Sequence, residues 1–474
     1  MSEAISVDFC IIGAGSGGLS LAAAAAAFGQ RVVLIEKHKM GGDCLNYGCV
    51  PSKALLAAGK RAQSFRTAAK FGIGAVEPSV DHRAVNDHVK GVIAAIEPND
   101  SVERFTGLGV KVITAAGRFV DKTTVVAGEH RITARYFVIA TGSSPVAPPI
   151  PGLADVPYFT NETIFDNAEK IPHLIVIGAG PIGLELAQAH RRLGSDVTVL
   201  EGAKALAKDD PELTKVVIER LREEGVVIRE EVRVERISGG AGHIAATIIS
   251  DGASQTVQGT HILVAAGRKP NIADLGLDAA GIETEKKGVR VSSGLVTTNT
   301  RVFAIGDVAG GPQFTHVAND HAGIVIRRTL FKLPAKATGR PIPWVTFTDP
   351  ELAHVGLTEA EARAAHGKVS VLRWPYHEND RAQAERETSG HVKVVVDKGG
   401  RIRGATIVGA QAGELIQMWS LALSQGMKIK AMTDWISPYP TLSEINKRAA
   451  FRYFATAPSK PIVRKIIALL AKLG

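Results

Sequence analysis

Apolar and polar positions divide the chain into short buried runs that end at glycine turns. FCII (Phe9–Ile12) and LIVI (Leu174–Ile177) are continuously apolar and β-branched, the pattern of parallel strands covered on both faces. Each opens the same order of elements: strand, tight glycine turn, helix, second strand, acidic residue. The first copy, DFCIIGAGSGGLSLAAAAAAFGQRVVLIEK, begins at Asp8, and the second, HLIVIGAGPIGLELAQAHRRLGSDVTVLEG, begins at His173. At a constant offset, Gly13, Gly15, Gly18 and Glu36 become Gly178, Gly180, Gly183 and Glu201. The first glycine permits the tight turn, the second lets backbone approach a pyrophosphate, and the third lets the helix pack on the strand. Unpaired N–H groups of the helix start then face the phosphates, and the acidic residue accepts from a ribose diol. Two complete copies predict two bound dinucleotides. Further strands end at FVIATGSSP, ILVAAGRKPN and TTNTRVFAIGDVAG.

At 474 residues the chain is too long for one hydrophobic core, so several domains are expected. The formal net charge of +9 favours acidic ligands, but no clustered basic motif or nucleic-acid signature accompanies it, so no nucleic-acid partner is expected. The start MSEAISVDFC carries Glu3 and Asp8 where a signal peptide would be positive. The apolar run Leu19–Phe28 is about half the length of a membrane span. A cytoplasmic protein is therefore expected.

Two of the three cysteines, Cys44 and Cys49, fall in GGDCLNYGCVPSK. Three cysteines make no secreted disulfide framework, and a structural zinc site takes four ligands that have no counterpart at ligand spacing here. A redox role is the leading reading. Cys49 precedes VPSKALLAA, a helix start with Pro51 in its first turn, where dipole and free amides would stabilise a thiolate. Cys10, inside the apolar run, is expected to be an inert core residue.

In this order, GAGSGG, CLNYGCVPSK, ATG, GAGPIGLE, AAGRKPN and AIGDVAG closely resemble the class I flavin disulfide reductases, which include dihydrolipoamide dehydrogenase, glutathione reductase and mercuric reductase. The resemblance implies FAD on Gly13, Gly15, Gly18 and Glu36, with Gly42, Lys53, Thr141, Gly142, Asp307 and His316 completing the site. It implies a nicotinamide dinucleotide on Gly178, Gly180, Gly183, Glu201 and Gly267. Cys44 and Cys49 would form a redox-active disulfide, Cys49 facing the flavin and Cys44, nearer solvent, meeting the substrate. Lys53 would pair with Glu185 beside the flavin, and His316 would either lie along the flavin or act as a cap. The implied fold is α/β: two Rossmann-like dinucleotide-binding domains plus a C-terminal α+β dimerisation domain, in a homodimer. The expected divisions are 1–150 (FAD-binding), 151–270 (NAD(P)-binding), 271–340 (completing the FAD site) and 341–474 (interface).

One departure bears on the substrate. Family members that reduce organic disulfides carry His-Pro-x-x-x-Glu near the C-terminus, the histidine serving the partner subunit as acid and base. Here SPYPTLSEINKRAA keeps Pro440, Thr441 and Glu444 but places Tyr439 at the histidine position. A phenol, with an ordinary pKa of about 10, is a poor base at pH 7. Tyrosine there is similar to mercuric reductases, yet their C-terminal cysteine pair has no counterpart in IIALLAKLG. The expected function is FAD-dependent electron transfer through Cys44–Cys49 to an unidentified small-molecule, disulfide or metal acceptor. Dihydrolipoamide dehydrogenase and a metal-ion reductase are the alternatives. Glu201 would repel a 2′-phosphate, and Lys204 and Lys208 follow at loose spacing, so NADH is expected over NADPH. Finally, PIVRKIIALLAKL sets Ile462, Ile466, Leu469, Leu470 and Leu473 against Arg464, Lys465 and Lys472. Such a helix is expected to cap its own domain or the dimer interface rather than lie on a membrane surface.

Overall fold

The first apolar run forms strand β1 (Glu3–Ile12), which leads through the glycine turn into helix α1 (Ser16–Ala27) and strand β2 (Val32–Glu36). A computed structural model describes residues 3–455 and 459–473; residues 456–458 and 474 of the expected interface domain lie outside the described residues. β1 pairs in parallel with β2 on one side and with His130–Ile139 on the other. The resulting seven-stranded sheet runs Val110–Thr114, β2, β1, His130–Ile139, Thr124–Ala127, Gly117–Asp121, and Val302–Ala304 joins it beside His130–Ile139. Phe9, Cys10 and Ile11 are fully buried, as strands covered on both faces require.

The cysteine stretch leaves this sheet as a short helix α2 (Gly42–Asn46) followed by α3 (Cys49–Thr67). The second copy of the repeat forms β3 (His173–Ile177), α4 (Pro181–Arg192) and β4 (Asp196–Leu200), with α5 (Pro211–Glu223) after it. Its parallel sheet has the order Val227–Arg229, β4, β3, His261–Val264, the same arrangement as the first copy. Helix α3 packs directly on α4: a Cβ on Gly59 would lie 3.3 Å from the Ala189 carbonyl oxygen. Helix α6 (Thr315–Thr329) lies on α1, and the Ser20 hydroxyl donates to Asn319 Oδ1 across them at 3.0 Å.

The C-terminal part is a five-stranded antiparallel sheet ordered Trp344–Thr346, Glu351–Gly356, Ile402–Gly409, His391–Asp397, Val369–Pro375. Its core includes Trp419, Tyr376 and helix α7 (Glu444–Phe451). The mixed α/β fold expected from the repeat is the one observed. Of the two covers expected for the final helix α8 (Pro461–Leu470), its own domain and the dimer interface, the first is not formed: the helix buries none of its residues against its own chain. Periodicity gave it an apolar face, but that face finds no cover among the described residues. No helix among the described residues is long and apolar enough to cross a membrane.

Candidate active site

Backbone sterics dictate the two glycine turns. Gly13 and Gly178 sit at φ +108° and +105°, where L side chains are strained, and a Cβ on Gly18 or Gly183 would strike the carbonyl of Gly13 or Gly178. Gly15 and Gly180 have open space where a side chain would project. Each N-caps its helix without any side-chain cap, and neither helix has an acidic residue in its first turn. Uncapped N–H groups facing open space suit a pyrophosphate, so both turns fit the dinucleotides expected of them.

The acidic residue of each unit has a task that the pattern did not disclose. Glu36 accepts from the backbone N–H of Ala14 at 2.7 Å and of His38 at 2.8 Å. Glu201 accepts from Ala179 at 2.7 Å and Ala203 at 2.9 Å. Each carboxylate therefore ties its glycine turn to the end of the neighbouring strand. Lys204, one of the two cations weighed near the second site, is paired with Glu231 at 2.5 Å.

Gly42 brings the cysteine stretch against the first turn: at φ +58°, its Cβ would lie 2.7 Å from the Cα of Gly15. Cys44 and Cys49 are both free thiols, and they hydrogen-bond each other. Cys49 is the first residue of α3, and its Sγ lies 3.5 Å from the Thr315 hydroxyl on α6. The Cys44 thiol donates to Cys49, and this bond more than any other cause lowers the Cys49 pKa to about 6. Burial opposes the shift, while Thr315 and the Lys53 charge add to it. Cys44, the donor in that bond and itself desolvated, is pushed well up. Cys49 is exposed and Cys44 half-buried. Cys44 is enclosed by the turn of α2, whereas Cys49 opens its helix. Cys10 is fully buried and its thiol is pushed up by desolvation, as an inert core residue should be.

Lys53, one turn into α3, reaches Glu185 on α4 at 2.7 Å. The Glu185 side chain is 5% exposed, so this is no surface ion pair. Its other oxygen accepts from the Phe347 N–H at 2.8 Å, and the Lys53 ammonium lies 4.3 Å from the centroid of the Phe347 ring. His316, the second residue of α6, does not cap that helix; its Nε2 lies 2.8 Å from the Pro343 carbonyl oxygen, and its ring stacks on Phe314. Thr141 donates to the Asn271 carbonyl at 2.7 Å, and the Asn271 amide returns a bond to Thr141. The two strand-ending turns are thereby joined, with Gly142 and Gly267 both at positive φ within them.

Asp307 accepts from the Ser143 hydroxyl at 2.5 Å, and burial raises its pKa. Ser143 in turn receives Arg268 Nε at 2.8 Å, and Arg268 reaches Asp43 at 3.1 Å. This chain from Asp307 to the residue beside Cys44 was missed in the sequence. Ser143 and Arg268 do fall inside the motifs ATGSSP and AAGRKPN, the one signal that pointed to them. Tyr439 stands apart from the cysteines within the chain. It is 70% exposed and donates to Asp380 at 3.0 Å. That hydrogen bond is the main reason its pKa is raised, and the charge of Glu444, at the start of α7, adds to the rise. No group of three or more His, Cys, Asp or Glu side chains that could hold a metal ion occurs among the described residues.

Comparison with known proteins agrees with this geometry. Residues 7–322 match the model of pyridine nucleotide-disulphide oxidoreductases, and residues 342–450 match the dimerisation domain of the same family. A mercuric reductase of Staphylococcus aureus is 34% identical over 94% of this chain and 82% of its own length. A dihydrolipoyl dehydrogenase of Geobacillus stearothermophilus is 33% identical over 94% of this chain and 96% of its own. The HOCl-induced flavoprotein disulfide reductase RclA from Escherichia coli superposes with a TM-score of 0.84 at 28% identity, covering 94% of this chain and 99% of that one. The dimerisation domain supports a homodimer. Matched along both its nucleotide-binding and its C-terminal parts, the chain belongs to the pyridine nucleotide-disulphide oxidoreductase family of NAD(P)H- and FAD-dependent enzymes.

Proposed function

We propose that the chain carries two electrons from NADH to a Cys44–Cys49 disulfide and on to an acceptor whose reduction needs no imidazole base. FAD, when bound, supplies the relay between nicotinamide and disulfide. The balance is NADH, one proton and one disulfide giving NAD+ and two thiols. Within this reading, residues 1–150 with 271–340 hold FAD, 151–270 hold the nicotinamide dinucleotide, and 341–474 pair the subunits of a cytoplasmic homodimer. Gly13, Gly15, Gly18 and Glu36 would hold the FAD pyrophosphate and ribose, with Gly178, Gly180, Gly183 and Glu201 doing the same for NADH. Lys53, held by Glu185, presents a fixed positive charge beside the redox centre. Acidic Glu230 and Glu231 accompany Glu201, and Lys204 is already paired, which supports NADH over NADPH.

Cys49 is favoured as the thiolate and Cys44 as the protonated exchanging thiol, by the opposed shifts of the two groups. Activating Cys44 toward an organic disulfide then requires a base. The observation that carries the reading is Tyr439: its hydroxyl is donated to Asp380 and its pKa is raised, so it holds its proton at pH 7. A thiophilic metal ion displaces the thiol proton on binding and needs no such base. The names of the mercuric reductase relatives and the Cu(II) complex of RclA favour this kind of acceptor as a second reading. Dihydrolipoamide dehydrogenase remains the competing assignment, carried by the Geobacillus relative. Steady-state NADH oxidation against lipoamide, glutathione disulfide, quinones and Hg(II) or Cu(II) tests it. Lipoamide and glutathione disulfide should turn over slowly, and Tyr439→His should raise lipoamide turnover by roughly 10²-fold, the lower range of general acid–base catalysis. Rapid lipoamide turnover by the unaltered enzyme would move the dehydrogenase assignment to first place.

A further inference from the structure

Helix α8 begins beyond the dimerisation match, which ends at residue 450. Pro461 starts it at a position where proline is tolerated. Ile462, Ile466, Leu469, Leu470 and Leu473 all keep at least half of their surface open. At 3.6 residues per turn these residues, with Val463 and Ile467, cover an arc of about 160°. Arg464, Lys465 and Lys472 fall on the opposite arc. After Glu444 the sequence contains no Asp or Glu, while Lys460, Arg464, Lys465 and Lys472 all lie in or beside the helix.

An isolated helix of this length is marginal in water, so its stability calls for a surface against the apolar face. The charge pattern says which surface. A second copy of α8 would cover the apolar arc but leave both basic arcs without a counter-charge, since no acidic residue follows Glu444. A membrane-spanning role needs roughly twice this length of apolar helix. A surface that is apolar a few ångströms down and negative at its rim meets both arcs at once.

We propose that α8 is a reversible membrane-surface anchor that lies in the headgroup plane of an anionic lipid bilayer. Ile462, Ile466, Leu469, Leu470 and Leu473 enter the acyl boundary, and the basic residues meet lipid phosphates. The oxidoreductase is thereby held at a membrane surface without crossing it.

Sedimentation of the full-length, FAD-loaded protein with phosphatidylcholine vesicles, and with equimolar phosphatidylcholine–phosphatidylglycerol vesicles, tests the proposal. The protein should pellet with the anionic vesicles only, less so as salt rises. Leu469→Asp/Leu470→Asp and Lys465→Glu/Lys472→Glu should each weaken partitioning at least tenfold while NADH-dependent dye reduction stays unchanged. If the native protein stays in the supernatant with anionic vesicles, the proposal fails. It fails equally if both variants bind like the native protein. A shift of either variant from dimer to monomer in sedimentation velocity would also overturn it, assigning the face to a second copy of the chain.

Discussion

Removing the Cys44 thiol should release Cys49 toward ordinary thiol behaviour. In the reduced protein, the Cys44 hydrogen bond is the largest contribution holding the Cys49 pKa at about 6, ahead of Thr315 and Lys53. At pH 7 a thiol with that pKa is about nine-tenths thiolate, against about 3% for an ordinary cysteine near 8.5. Alkylation rate at one pH discriminates poorly, because a shift of about 2.5 units lowers intrinsic nucleophilicity by roughly tenfold and offsets most of the roughly thirtyfold gain in thiolate. The midpoint of the pH–rate curve discriminates well. Iodoacetamide labelling of the reduced protein from pH 4.5 to 10, with the Cys49 peptide followed by mass spectrometry, should give a midpoint near 6. Cys44→Ala should move it up by at least about one unit, whereas Cys44→Ser, which keeps a hydroxyl donor, should leave it closer to the native value. Cys44 itself should not titrate below the ordinary range, and buried Cys10 should stay unlabelled. A native midpoint at or above 8.5, or the same midpoint in Cys44→Ala, refutes the division of roles between the cysteines.

Glu201→Ala should raise the KM for NADH by about tenfold, because two charge-assisted bonds that fix the second glycine turn are lost, and should narrow the preference over NADPH. An unchanged KM, or a native kcat/KM higher for NADPH, contradicts this. Lys393, 5% exposed, lies 2.7–2.9 Å from Asp210, Glu212 and Glu359 and joins the second nucleotide unit to the C-terminal sheet. Lys393→Met should destabilise the fold by about 3–5 kcal/mol, seen as a lower Tm, since three carboxylates lose their shared cation. Glu212 is held at about 2, chiefly by its hydrogen bond from Arg373 and also by Lys393. Its contribution is full above the unfolded carboxylate value of about 4.3 and is lost as pH falls toward 2. Acid unfolding of Lys393→Met should therefore begin at a higher pH than that of the native protein, and coincident curves would contradict the role of the cluster.

The repeated nucleotide units were legible because backbone sterics admit nothing but glycine at Gly13, Gly18, Gly178 and Gly183. Apolar runs such as FCII also have one stable home in a parallel sheet. Lys53 and Glu185 were legible through family resemblance, and the packing of α3 on α4 brings them together as that resemblance implied. Arg268 was hidden because its partners, Ser143 and Asp43, are distant in sequence and meet through the fold alone. Periodicity likewise assigned α8 an apolar face without saying what would cover it, and the expected cap on its own domain is not formed. The tie from Glu36 to Ala14 escaped notice for a related reason: a motif names the acid but not its backbone partner.

Mapping new thiols after anaerobic reduction tests the central claim most directly. The oxidised, FAD-loaded protein is treated with one equivalent of NADH per subunit, quenched in acid, labelled with a maleimide under denaturing conditions and digested. The account requires two new thiols per subunit, on Cys44 and Cys49, with Cys10 equally labelled before and after reduction. Consumption of NADH with no new label on Cys44 and Cys49 would contradict it, because the electrons would then bypass the pair around which the site is built.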